Sequence, residues 1–255
     1  MGGGVIDLAG KRALVTGGSR GIGAATALLL ARAGADVCIG FRNRRDAAGE
    51  VVRRIQALGR RALAIAGELS RAETCEELVN GAARELGGLD IFIGNAGIWP
   101  SDPVPAEQLS DERWMRTIGE NLNGMFFTTR AVASRLPAGG RIVLVASTAG
   151  QRGEAFHADY AATKGAMIAY VKSLAVELGP RDITVNAVAP GWVNTDAVSP
   201  AFAGGGRDQI AAGIPLGRVA TPDDIAGPIV FLCSPLARHV TGEILNVNGG
   251  SVLCG

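Results

Sequence analysis

The stretch that decides the fold is RALVTGGSRGIGAATALLLARAGADVCIGF, residues 12–41. An aliphatic run, 12–16, meets a glycine-rich turn and then an Ala/Leu-rich helical stretch over 21–33. A second apolar run follows at 36–41. Strand, tight turn, helix and strand make a βαβ unit, whose crossover is right-handed and whose strands are parallel. Gly17, Gly21 and Gly23 flank the turn in the order Gly-x-x-x-Gly-x-Gly, a variant of the usual Gly-x-Gly-x-x-Gly dinucleotide fingerprint. Without a Cβ the backbone lets a pyrophosphate approach, and the helix start supplies free N–H groups and positive potential.

The same alternation continues outward. Further apolar runs at 62–66, 89–94, 141–147, 183–189 and 243–247 read as strands. Helical patterns fill 44–58, 71–86, 107–136, 159–178 and 222–233, the last opened by Thr221 as N-cap, Pro222 and two acids. Near-continuous apolarity in the strands means that both sheet faces are covered. The prediction is a single-domain α/β fold over 1–255, a Rossmann-type doubly wound parallel sheet of about seven strands. The chain of 255 residues is 47% hydrophobic and 19% charged with net charge +1, which gives no general attraction to nucleic acid or membrane. No apolar run reaches the ~18 residues of a membrane span. The MGGGVI start has Ile6 where an N-terminal lipidation motif needs Ser or Thr. The cysteines at 38, 75, 233 and 254 lack metal or disulfide spacing, so the expectation is a cytoplasmic protein with free thiols and no metal.

The tip of the second strand reads the nucleotide. An acid there binds the ribose 2′-hydroxyl of NAD, whereas an arginine accommodates the 2′-phosphate of NADP. Here the tip is Phe41-Arg42-Asn43-Arg44, and Arg20 stands inside the glycine turn. Either these arginines grip a phosphate with paired, charge-assisted bonds, or they are solvated surface residues. The first reading predicts NADP(H) in preference to NAD(H).

HADYAATKG, 157–165, places Tyr160 four residues before Lys164 in a chain with two tyrosines and three lysines. Residues four apart share a helix face. A free phenol, pKa about 10, exchanges protons sluggishly at neutral pH, and a neighbouring ammonium favours the phenolate. The pair is thus expected to make Tyr160 an acidified general acid or base. Taken alone, such a pair is usually an ordinary helix-surface contact. Its company changes that reading: Ser147 ends the fifth strand in ASTAG, at the sheet edge where doubly wound folds bind ligands. Asn121 interrupts a helical pattern, and GNAG, 94–97, closes the fourth strand.

With TGGSRGIG, GNAG, the Asn of ENLNG, the Ser of ASTAG, YAATK and APGWVNT in this order, the chain resembles a classical short-chain dehydrogenase/reductase over essentially its whole length. It looks most like ketoreductases of the 3-oxoacyl-carrier-protein reductase type. The resemblance implies Tyr160 as proton donor, Ser147 as substrate orienter, Lys164 as ribose anchor and pKa depressor, and Asn121 as a helix-distorting support for a proton relay. It implies cofactor contacts from Gly17, Ser19, Arg20, Gly21, Ile22 and Gly23, from Phe41, Arg42 and Asn43, and from Asn95, Ala96 and Gly97. Tyr160 and Lys164 join these, with Pro190, Gly191, Val193 and Thr195 at the nicotinamide. Glu68, beside Leu69, stands where an Asp usually meets adenine, Gly94 where a second Asn is common, and Asn248 where an Asp is frequent.

Trp99 and Trp192 either shape the substrate pocket or simply pack, and His157 either lines that pocket or sits on a surface loop. Asp159 reads as a charge at a helix N-terminus. Residues 192–215, with three consecutive glycines, read as a loop-like substrate lid. The expected activity is NADPH-dependent reduction of a ketone, with a small carbonyl or alcohol as partner and a homotetramer built on the long helices. Alternatives are a 3-oxoacyl-carrier-protein reductase, an NAD-dependent alcohol dehydrogenase, and a nucleotide-sensing protein without chemistry. Of two basic positions tied to carrier docking in the family, only Arg181 matches; the other is Ala138.

Overall fold

Seven parallel strands line up in the order β3-β2-β1-β4-β5-β6-β7 in the computed structural model, which describes residues 5–254. Residues 1–4 and 255 of the expected 1–255 domain lie outside the described residues. The strands are β1 (Arg12–Thr16), β2 (Asp36–Phe41), β3 (Ala62–Ala66), β4 (Ile91–Gly94), β5 (Arg141–Val145), β6 (Thr184–Pro190) and β7 (Ile244–Val247). The helices are α1 (Gly21–Arg32), α2 (Arg45–Ala57), α3 (Ala72–Leu86), α4 (Asp111–Thr117), α5 (Gly124–Ala133), α6 (Thr148–Arg152), α7 (Ala158–Leu178), α8 (Gly206–Ala212) and α9 (Pro222–Cys233).

Alternation along each strand splits the core into two layers. Val15, Ile39, Ile93 and Val143 pack under α1, α2 and α9. Leu14, Cys38, Phe92 and Leu144 face the other way, under α3, α5 and α7. Both faces are buried, as the continuous apolar runs require. The order in which strands are added reverses between β1 and β4, a switch point at whose carboxyl edge doubly wound sheets bind ligands.

Three expectations change. The helix expected over 107–136 is not continuous: a 3-10 turn (Ala106–Gln108) precedes α4, and a π-helical segment (Ile118–Asn123) separates α4 from α5. A π turn inserts extra backbone per turn, which a 3.6-residue periodicity cannot register. Residues 196–212 are not an open loop. They form 3-10 turns (Asp196–Gly205) with a break at Ala203 and Gly204, followed by α8. Gly205, at φ +85°, supplies the left-handed residue that starts α8. The apolar tail of the fifth run, 146–147, leaves the sheet, and Ser147 caps α6 by accepting from the Ala149 N–H at 3.1 Å.

Candidate active site

The carboxyl edge gathers what the chain scatters over nearly 180 positions. One cleft of about 400 Å³ is lined by the β1 turn from Gly17 to Ile22, the β2 tip from Gly40 to Arg44, Glu68 and Leu69 beyond β3, and Asn95 to Trp99 beyond β4. Ser147, Tyr160 and Lys164 line its far side with Pro190, Gly191, Val193 and Thr195. The sequence-predicted residues therefore converge, with four placed differently. Gly23 sits one turn into α1 and packs against the Gly17 carbonyl, where any Cβ would collide with it. Asn121 lies behind the cleft wall, and neither His157 nor Trp192 touches the cleft directly.

The glycine turn has the shape of a phosphate cradle. Gly17 and Gly21 have φ +65° and +55°, open to glycine and costly for other residues. A side chain on Gly17 would meet the Asn95 amide nitrogen at 2.8 Å. Asn95 donates to the Thr16 carbonyl at 2.9 Å, and the Thr16 hydroxyl accepts from the Asn95 and Ala96 N–H groups at 3.0 and 3.1 Å. These bonds lock the β1 and β4 loops side by side. Thr16 has no unusual local signature, and its role emerges only from this pairing. With bare backbone at the helix start and arginines at the rim, the residues present fit a nicotinamide dinucleotide.

At the other end, Tyr160 and Lys164 project from the first two turns of α7. Lys164 is 4% exposed, its Nζ donates to the Val145 carbonyl at 2.7 Å, and it stands 5.7 Å from the centre of the Tyr160 ring. The Ser147 hydroxyl lines the cleft beside the Tyr160 phenol and favours its ionised form.

A ladder beside this pair holds α7 in place. Thr117 and Asn121, four apart on one side, meet Asp159 and Thr163, four apart on α7. The Thr117 hydroxyl donates to Asp159 at 2.9 Å, and the Asn121 amide donates to the Thr163 hydroxyl at 3.3 Å. Each α7 rung immediately precedes a functional residue, Tyr160 or Lys164. The π segment turns Asn121 inward, where it also accepts from the Ile98 N–H at 2.7 Å and donates to the Ile98 carbonyl at 2.9 Å. Its amide is fully engaged, so its work is to fix the 98 loop and α7. Asp159 stands in the first turn of α7, as expected from sequence, and has a second role there. It is fully buried, and Arg113 donates to it at 3.0 Å. Because 46 positions separate that pair, no local pattern reveals it.

Aromatic side chains close the substrate end. Trp99 stacks on His157 with ring centres 4.9 Å apart and planes 15° apart. Trp192 meets Trp99 edge-on at 5.7 Å, and Phe202 of the expected lid lies 6.1 Å from Trp192. His157 is thus buried behind the pocket wall rather than carried on a surface loop.

Residues 17–251 match the protein family described as enoyl-(acyl carrier protein) reductase. The chain is 40% identical over 256 residues to versicolorin reductase 1 of Aspergillus parasiticus, covering 96% of this chain and 97% of that one. It is 38% identical over 249 residues to a 3-oxoacyl-[acyl-carrier-protein] reductase of Synechocystis, covering 96% and 98%. A short chain dehydrogenase from Burkholderia cenocepacia, solved in complex with NADP, superposes with a TM-score of 0.91 at 39% identity, over 96% of this chain and 98% of that one. The chain belongs to the short-chain dehydrogenase/reductase family. It is an NAD(P)-dependent oxidoreductase acting between alcohol and carbonyl.

Electrostatics in this dehydrogenase/reductase correct one expectation. The Tyr160 phenol is not acidified by its lysine. Burial pushes it up to about 12, with the Ser147 hydrogen bond pulling down and the Glu154 carboxylate pushing up. Burial also brings Lys164 down to about 8. The ammonium is aimed at the Val145 carbonyl, and the low-dielectric site penalises the charged form of both groups. The carboxyl of Asp159 behaves differently. Burial would raise it, but the bonds from Arg113, Thr117 and the Tyr160 N–H outweigh that and hold it below the usual carboxylate range.

Among the described residues, no cluster of three or more His, Cys, Asp or Glu side chains has the geometry to hold a metal ion. No helix there is long and apolar enough to cross a membrane.

Breaking a buried pair strands its partner's charge, at a cost of about 3–5 kcal/mol. Asp159→Ala, which leaves the Arg113 guanidinium with only the Asp102 carbonyl and no counter-charge, is expected to lower unfolding free energy by about that amount in a denaturant titration. A loss below about 1 kcal/mol would show the rung to be ornamental.

Proposed function

We propose that the protein is an NADPH-dependent carbonyl reductase that converts a ketone to the alcohol. The observation that carries this is the single cleft joining Ser147, Tyr160 and Lys164 at one end to Arg20 and Arg42 at the other. When bound, the reduced nicotinamide supplies the hydride. The chain's own residues do the rest. The Ser147 and Tyr160 hydroxyls both point a donor at the carbonyl oxygen, a preorganised site for the charge that develops there. Held near a pKa of about 12, the phenol keeps its proton throughout neutral pH, which is the state that reduction needs. Its proton goes to the nascent alkoxide, a far stronger base than phenolate. Lys164, charged below about pH 8, then offers positive charge to the phenolate and hydrogen bonds to ribose hydroxyls.

Cofactor choice rests on the arginines. Arg42 is held by Glu120 at 2.7 Å and by Glu68 at 3.8 Å, and Arg20 by Asp196 at 3.1 Å. The Arg20–Asp196 pair is open to solvent and so weakly held. A dianionic 2′-phosphate competes well for both guanidiniums, and no acid occupies the β2 tip to favour an unmodified ribose. The NADP held by the Burkholderia dehydrogenase points the same way. Glu68 meets Arg42 here, a use of its carboxylate distinct from the adenine contact implied by family pattern.

Carrier docking is the weaker substrate reading. Arg181, its one matching basic residue, spends its guanidinium on the Ala133 and Leu136 carbonyls, both at 2.8 Å. The segment from Asp196 to Ala212 is proposed to move as a lid over substrate. A cytoplasmic homotetramer completes the reading. Its contact faces would be α5 and α7, where the 40%-exposed Phe126 meets Tyr170 edge-on.

Tyr160→Phe removes the proton donor while keeping ring packing. Turnover in the absorbance assay for NADPH should fall by about 10²–10⁴ with NADPH affinity retained; near-normal turnover would refute the assignment. Arg42→Ala should raise the KM for NADPH roughly tenfold or more while leaving that for NADH nearly unchanged. Parallel losses for the two nucleotides would remove the 2′-phosphate role. The kcat/KM for NADPH should decline on the alkaline side with a midpoint near 8, as Lys164 loses its charge. A profile flat to well above that pH would show that the ammonium is dispensable.

A further inference from the structure

The substrate end of the cleft presents the Trp99 ring, backed by further aromatic side chains, and its one basic side chain, Lys164, is already bonded. The basic side chains lining the cleft are Arg20, Arg42, Arg44 and Lys164. The first three stand at the β1 and β2 tips, and the fourth is bonded to Val145. Trp99 shares the cleft wall with Ser147 and Tyr160. Its one polar handle is already used, since the indole N–H donates to Glu154 at 3.2 Å. His157 covers one face of Trp99 in a parallel stack, and Trp192 abuts it edge-on. The ring is therefore clamped at its back and side and offers the cleft a rigid apolar surface. Trp192 in turn touches Phe202, so the wall continues into the segment over the site. Beside it, the half-buried Glu154 carboxylate repels an anionic substrate.

Resting on the reductase reading, we infer that Trp99, clamped by His157 and Trp192, seats the aryl group of an uncharged aromatic ketone whose carbonyl reaches Ser147 and Tyr160. Aromatic rings gain from offset or edge-on contact beyond what buried area alone supplies, and a pre-clamped ring loses little freedom on binding. A saturated ring of similar size buries comparable area but lacks that extra attraction. A chain carrying phosphate or carboxylate finds only one cation in this half of the cleft, the Lys164 ammonium, which is already bonded to the Val145 carbonyl. Trp99, held in place by His157 and Trp192, thus sets substrate class, while Ser147 and Tyr160 set the chemistry.

The test compares 4-phenylbutan-2-one with 4-cyclohexylbutan-2-one, whose carbonyls are electronically alike and whose carbon counts match. With the full-length protein and saturating NADPH, the phenyl ketone should have a kcat/KM higher by about tenfold, mostly through KM. Trp99→Leu should reduce that preference to about twofold or less, and Trp99→Phe, which preserves a ring, should keep most of it. Equal kcat/KM values in the unaltered protein, or a preference untouched in Trp99→Leu, would overturn the aryl seat while leaving the reductase standing. Calorimetric titration of both ketones into NADP⁺-loaded protein separates the two readings. Selective binding of the phenyl ketone without turnover keeps the seat and defeats the reductase. If neither ketone binds or reacts, both are overturned.

Discussion

A buried ammonium anchored to the end of a strand organises this protein's working edge. Lys164 reaches from α7 to the carbonyl of Val145, the last residue of β5, at 2.7 Å. A charge so deeply buried is expensive, and its lowered proton affinity records that expense. The bond nonetheless holds the start of α7 beside the sheet's carboxyl edge. Ser147, two residues beyond Val145, and Tyr160, one turn before Lys164, are brought to the same end of the cleft. Gly150 makes the approach possible, because a Cβ there would strike the Lys164 backbone at 2.5 Å.

One hydrogen bond would not hold a 21-residue helix in register. The second support comes from the π segment and α4, through the Thr117–Asp159 and Asn121–Thr163 rungs. Local irregularity is used here as a tool. By widening one turn, the π segment places Asn121 where a regular helix would carry it elsewhere, and the same amide secures Ile98 at the cleft wall. Glu120, next in chain, points the other way and holds Arg42. A single distorted turn therefore connects the catalytic end of the cleft to its nucleotide end.

Much of this was legible in the chain. Apolar runs marked all seven strands. The five inner strands are buried on both faces and must be apolar nearly throughout, while the edge strands β3 and β7 are half-buried. The spacing of Tyr160 and Lys164 predicted a shared helix face, and they share one. The π segment was legible only as an interruption at Asn121; residue type marks a weak helix there but does not show that the turn widens or which way the amide points. The buried role of Asp159 was hidden because its partner, Arg113, lies on another helix. Acidification of Tyr160 failed as an expectation because adjacency says nothing of dielectric: burial acts on both members of the pair, and the lysine's proton points to a carbonyl.

The sequence by itself determined the layered sheet, its strand count, the glycine turn and the side chains that meet in the cleft. These follow from short-range pattern: period, turn chemistry and residue type. Tertiary structure alone decided the protonation preferences, the ladder behind α7 and the aromatic wall of Trp99, His157, Trp192 and Phe202. Each of those depends on which distant side chains exclude water from one another, and that is a property of packing rather than of neighbours in the chain.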